Sequence, residues 1–103
     1  MIKELKPVWS KQKSFYGKAM VEEDENFFTT LYSYGVPIVR IGGNYVTALW
    51  EGWSAATGRH INDFLWQELG VTCNKKQFET LQYWGAFQID DFKKIDKKGK
   101  YNI

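Results

Sequence analysis

The hydrophobic period of this chain changes once, near residue 50, and that change leaves few architectures open. Before it, the apolar pattern has a period of two. Phe15, Gly17, Ala19 and Val21 alternate with Tyr16, Lys18, Met20 and Glu22, the pattern of a half-buried strand. Glu23-Asp24-Glu25-Asn26 is a polar break suited to a hairpin turn. Phe27 to Ser33 is rich in β-formers and predicts a second strand. Tyr34-Gly35 breaks it, and Val36 to Ile41 predicts a third, with Pro37 near its start or on an edge where no amide donor is missed. Gly42-Gly43-Asn44 signals a tight turn, and Tyr45 to Trp50 predicts a fourth strand.

After residue 50 the period becomes helical. Ser54 can cap a helix. Ile61, Phe64, Leu65 and Leu69 then form one apolar stripe, closed by Gly70. Asn74 and Gln77 have capping-box spacing before a second, shorter helix that buries Phe78 and Leu81 and ends near Gly85. Short turns join sequential strands into meanders. The expected fold is therefore α+β: a four-stranded antiparallel meander followed by two helices, ββββαα. At 103 residues the chain is expected to be one domain. Residues 1–13 read as a solvated lead-in, 14–89 as the folded core and 90–103 as a charged flexible tail.

Composition narrows the function classes. Cys73 is the only cysteine, so an internal disulfide is impossible and a reducing compartment is expected. No apolar run approaches the roughly 18 residues of a membrane helix, and Met1 to Trp9 has no apolar segment behind its charges. The expectation is a cytoplasmic protein without a membrane partner. Residues 1–18 carry five lysines and one glutamate, residues 19–72 two arginines and seven acids, and residues 73–103 seven lysines and four acids. The centre is mildly acidic and both ends are basic. Five Trp, six Tyr and seven Phe exceed what a core this small hides easily, and Trp and Tyr are favoured at binding hot spots.

Catalytic groupings are hard to find. His60 is the lone histidine, and one His with one Cys cannot build a zinc site. As a base, His60 would need a nucleophile and an orienting acid. The glycines fit no phosphate-loop pattern, and the run Glu22 to Glu25 lacks the alternating oxygen ligands of a calcium loop. A protein that is not an enzyme and needs no metal or cofactor is expected. At about 100° per residue, Arg59, Asp63 and Trp66 fall on the side of the first helix away from its apolar stripe, and Arg59 and Asp63 are spaced to pair. The candidate protein-contact surface is Trp50, Trp53, Arg59 and Trp66. A DNA-binding regulator using the helix pair and the Lys-rich ends is one alternative. A sponge for a nucleotide signal is another, with Arg40 and Arg59 its only arginines.

Three stretches share an order and spacing: Gln12-Lys13-Ser14-Phe15-Tyr16-Gly17-Lys18-Ala19, then Leu31-Tyr32-Ser33-Tyr34, then Trp53 through Phe64 with Ser54, Thr57, Arg59, His60 and Ile61. Together they resemble a family of small phage, prophage and plasmid proteins of Firmicutes with the pattern K-S-F-Y-x-K-A, L-x-S-Y-x-T-x-V and S-x-T-T-x-R-H-I-x-x-F. Two departures stand out: Val36-Pro37 lies where the pattern has a nearby threonine, and Ala56 replaces the first of its paired threonines. Tyr34, Ser54, Thr57 and His60 are read as a structural motif, with Ser54 capping the helix and Thr57 and His60 turned to the sheet near Tyr34. The resemblance implies a mobile-element setting. That setting, not a shared mechanism, suggests an accessory protein that binds and inhibits a host defence protein, such as a CRISPR effector, with a phage protein of unknown role as a further alternative.

Overall fold

A computed structural model describes residues 1–101. It is α+β, with a six-stranded antiparallel sheet in sequential order and three helices among the described residues. The strands are β1 (Ile2–Glu4), β2 (Ala19–Glu23), β3 (Thr29–Ser33), β4 (Val36–Gly42), β5 (Tyr45–Ala48) and β6 (Ala86–Gln88). The helices are α1 (Ala55–Leu69), α2 (Lys75–Trp84) and α3 (Ile89–Phe92). None of these helices is long and apolar enough to cross a membrane.

The hairpins follow from local chemistry. Gly43 and Asn44 both take left-handed conformations, with φ of 58° and 69°, as a two-residue turn between twisted strands requires. Gly42 just before them cannot carry a side chain, since a Cβ there would stand 1.8 Å from the Phe28 ring. Asp24 shapes the β2–β3 turn by accepting from the amides of Asn26 and Phe28. Alternation holds across β2 and β3: Ala19 faces Ser33 and Val21 faces Leu31, all buried. It fails in β4, where a register shift against Leu31 and Tyr32 buries the adjacent Ile38 and Val39 together. Pro37 lies ahead of the stretch of β4 that pairs with β5.

One face of the sheet packs against α1 and α2. Ile61, Phe64 and Leu65 of α1 and Phe78 and Leu81 of α2 join Leu31, Val39 and Val46 in a single core. Gly58 lets Trp53 lie flat on α1, because a Cβ there would come within 2.6 Å of the indole.

Both ends of the chain depart from the sequence expectation. The four-strand, two-helix count becomes six and three because the terminal segments join the fold. β1 is an edge strand paired with β2, Ile2 opposite Glu22 and Glu4 opposite Met20. Its three side chains are all exposed, so its pairing is a main-chain interaction that leaves no apolar pattern to read. At the other end β6 pairs with β5 and extends the meander. Residues 90–101 then fold back: Phe92 and Ile95 are buried, Ile95 bridges to Tyr101, and Tyr101 packs its ring 5.2 Å from Phe87. A few well-spaced apolar residues hold a segment whose charge content had suggested a flexible tail. Residues 102–103 of that tail lie outside the described residues.

Asp63 is a further correction. It does not pair with Arg59 on an outer face. It is fully buried and accepts from three successive main-chain amides, Val8 at 2.6 Å, Trp9 at 2.7 Å and Ser10 at 3.0 Å. Gln67 beside it donates to the Lys6 carbonyl at 2.8 Å. Among the described residues the only ion pair within 4 Å is Lys94–Asp91, so Arg59 is left for solvent or a ligand. The lead-in segment is thus clamped onto α1 through its backbone while the Val8 and Trp9 side chains stay outside.

Asp63→Asn should show how far this clamp matters. The amide would set an N–H₂ against the amide of Ser10, leaving donor facing donor. A loss of about 1–3 kcal/mol is expected, the usual cost of an unmet buried polar group, read as a lower urea midpoint. An unchanged midpoint would show that residues 8–10 are held by other means.

Candidate functional site

Two Tyr-Gly turns meet at one end of the sheet. Phe15 to Lys18 turns through Tyr16 (φ 55°) and Gly17 (φ 74°), closed by the Lys18 amide donating to the Phe15 carbonyl. Ser33 to Val36 turns through Tyr34 (φ 52°) and Gly35 (φ 78°). Because Ala19 pairs with Ser33, the two turns are neighbours, and the Tyr34 amide donates to the Lys18 carbonyl at 2.7 Å. Left-handed backbone is costly for a bulky aromatic. Both tyrosines adopt it and project their rings outward, 78% and 54% exposed.

The first turn of α1 closes the other side. Ser54 caps the helix, its Oγ accepting from the Thr57 amide at 3.1 Å. That places Thr57 and His60, three apart, on the face toward β3. Both reach Ser33: its Oγ lies 3.0 Å from Thr57 Oγ1 and 2.8 Å from His60 Nδ1. Phe15 sets its edge against the imidazole at 4.5 Å, and the Tyr34 ring lies 5.8 Å away.

Between the turns and α1 is a cleft of about 180 Å³. Its floor is His60 and Phe15, and its rim is Tyr16 and Tyr34. Lys18, Arg59 and Gln12 supply polar ends, while Ala56 leaves room where the resembling pattern has threonine. No acidic side chain lines it. Lys18 Nζ sits 5.5 Å from the Tyr34 ring centroid, within cation–π range. His60 is only 3% exposed. Among the described residues its Nε2 has no hydrogen-bond partner, since the ring's one bond runs through Nδ1. His60 is among the residues that line the cleft.

Of the four residues expected to form a contact surface, only Arg59 belongs to this cleft. Trp50 and Trp53 are half-buried and pack on the core. The Trp50 ring covers Gly52, and that of Trp53 covers Gly58 and lies 5.9 Å from Phe78. Gln82 pins their loop by donating to the carbonyls of Trp50 and Gly52. Trp66 is 43% exposed on α1. Arg40 lies over the Phe28 ring at 5.1 Å and does not line the cleft, so no two-arginine pocket forms. Tyr16, Lys18 and Gln12 were not singled out as site residues. The signal that could have found them is the Tyr-Gly dipeptide occurring twice, at residues 16–17 and 34–35.

Among the described residues, no three of His, Cys, Asp and Glu converge as a metal would need. A larger groove of about 610 Å³ runs between α2 and the C-terminal segment, walled by Tyr83, Trp84, Lys76, Lys98 and Lys100. None of its lining residues is buried. The smaller cleft is the better-built site for that reason.

Two of the buried titratable side chains, Cys73 and His60, are shifted by their surroundings. Burial pushes the Cys73 thiol up to about 12, so it is an inert packing residue whose backbone is held by Asn62. Burial lowers the His60 imidazole below its ordinary value; Asp63 opposes this and Arg59 reinforces it. The unfolded chain therefore takes up a proton that the fold resists. Stability should be fully present above the ordinary histidine value of about 6.5 and fall as pH drops through the lowered folded value. His60→Asn should flatten that slope below about pH 6.5 in urea titrations. An equal slope in the variant would assign it to other groups.

A family model described as a family of unknown function (DUF8033) matches residues 3–80. No curated protein and no solved structure matches the chain. The match spans β1 through most of α2, and so includes both Tyr-Gly turns, the Ser33–Thr57–His60 cluster and the Asp63 clamp. On that span, well over half of its length, the chain belongs to the DUF8033 family.

Proposed function

We propose that this protein acts by binding, and that the cleft between the two Tyr-Gly turns and α1 is its recognition site. One observation carries the reading: Tyr16 and Tyr34 are held in left-handed conformations with exposed rings, around a nearly buried His60. Backbone strain of this kind costs about 1–3 kcal/mol per residue and concentrates at ligand clamps and switches. Rigid aromatic rims with cations beside them are common at interaction hot spots.

Binding fits the cluster better than catalysis. Among the described residues Ser33 is the only hydroxyl bonded to His60, but it is buried, so a substrate could not reach it. The ring faces Ser33 through Nδ1 and the cleft through Nε2, and no carboxylate bonds to it to set its orientation. Asp63 is committed to residues 8–10.

The mobile-element resemblance suggests a host protein as the partner, with defence proteins such as CRISPR effectors the first class to test. A capture experiment from host lysate, with and without nuclease, tests this with Tyr34→Gly as the probe. Glycine keeps the turn and removes the ring, so the fold should be at least as stable. Partner affinity should drop at least about tenfold, or 1.4 kcal/mol. Retained affinity in the folded variant would move the site elsewhere.

A second reading has its own support. Exposed Tyr83 and Trp84 stand 5.4 Å apart beside Lys76, Lys98 and Lys100, a combination that can stack and neutralise nucleic acid. Nucleic-acid binding at that groove would weaken steeply with salt. Capture that is nuclease-sensitive, salt-steep and lost in Trp84→Ala would favour this groove over the cleft.

A further inference from the structure

The cleft carries more than a place to bind; its chemistry selects a ligand. Two fixed positive charges, Lys18 and Arg59, line a space with no acidic side chain. Neither has a carboxylate within 4 Å among the described residues. A bound anion would complement both charges.

The floor supplies a directed donor. Ser33 can give its hydroxyl proton to His60 Nδ1, while its oxygen accepts from Thr57. With that choice of donors the imidazole proton sits on Nε2, on a ring that lines the cleft and is 3% exposed. No buried side-chain nitrogen or oxygen among the described residues lacks a partner, so the unbonded Nε2 is open to solvent or a ligand. The Gln12 amide and the guanidinium fork of Arg59 add N–H donors of the kind that grip oxyanions.

We propose that this cleft is an oxyanion site that takes a phosphate group. The proposal rests on the cleft being the recognition site. A dianion matches the two fixed cations better than a carboxylate does. The volume, about 180 Å³, is below the roughly 300–1,000 Å³ of pockets that enclose whole drug-sized ligands. The cleft therefore holds one ionic group, and whatever carries that group lies outward along Tyr16 and Tyr34.

The test is titration of the full chain with inorganic phosphate, AMP, O-phosphoserine and acetate, followed by NMR of the His60 ring and Arg59 side-chain nitrogens. Phosphate should give saturable shifts at both, with a Kd in the millimolar range, about 10 mM or tighter. Arg59→Gln, at an exposed position, should weaken it at least about tenfold without changing the urea midpoint. AMP binding more tightly than phosphate would show a nucleotide source using the aromatic rim, and O-phosphoserine binding more tightly would show a phosphopeptide source; either supports the site. Acetate binding as well as phosphate, no saturation, or shifts unchanged in Arg59→Gln would overturn it. Partner capture separates the two claims. If phosphate fails to bind but Tyr34→Gly still loses the partner, only the oxyanion assignment falls. If phosphate binds but Tyr34→Gly captures the partner normally, the recognition-site reading falls and the oxyanion site stands.

Discussion

Three of the buried polar side chains of helix α1 each tie down a different part of the chain. His60 bonds to Ser33 at the end of β3. Asn62 donates to the carbonyls of Gly58 and Cys73 and accepts from the Cys73 amide, which fixes the connection to α2. Asp63 collects the amides of Val8, Trp9 and Ser10. Burying such groups without partners would cost more than most single contacts contribute. Among the described residues no buried side-chain polar atom lacks a partner. The segments that supply those partners have little freedom to sit elsewhere.

This arrangement also explains where the cleft lies. The Asp63 clamp brings residues 8–10 to α1, and the chain leads from there to Gln12, Phe15 and Tyr16. The Ser33 bonds hold the end of β3 against the same helix, which brings Tyr34. The two Tyr-Gly turns meet because β2 and β3 are paired in the register Ala19 to Ser33. Three interactions distant in sequence therefore assemble one small concave surface. Its aromatic rim is strained and exposed, and its floor is rigid. A recognition site made of preorganised elements loses little conformational freedom on binding.

Trp66 and the terminal segments show how side-chain pattern and tertiary role can part. A helical wheel places Arg59, Asp63 and Trp66 on one side, and two of the three are indeed exposed. Asp63 is not, because residues 8–10 cover that side with backbone amides. A carboxylate's destination depends on where N–H donors lie, and no wheel contains that information. The aromatic excess resolves in a similar way: Trp50 and Trp53 pack on the core, while Tyr16 and Tyr34 are the rings placed around a cavity.

What the amino-acid order determined by itself was local. The Gly43-Asn44 turn, the Ser54 cap, the Asn74–Gln77 capping box and the change from strand to helix period all rest on contacts within a few residues, so their signals lie side by side in the sequence. The α+β class follows from them. Tertiary structure alone decided the edge strands β1 and β6, the packing of residues 90–101, the burial of Asp63 and the meeting of the two turns. Edge pairing uses main-chain groups that every residue carries, so β1 left no pattern. The cleft depends on strand register and on hydrogen bonds between residues more than twenty apart, and only the folded chain brings their partners together.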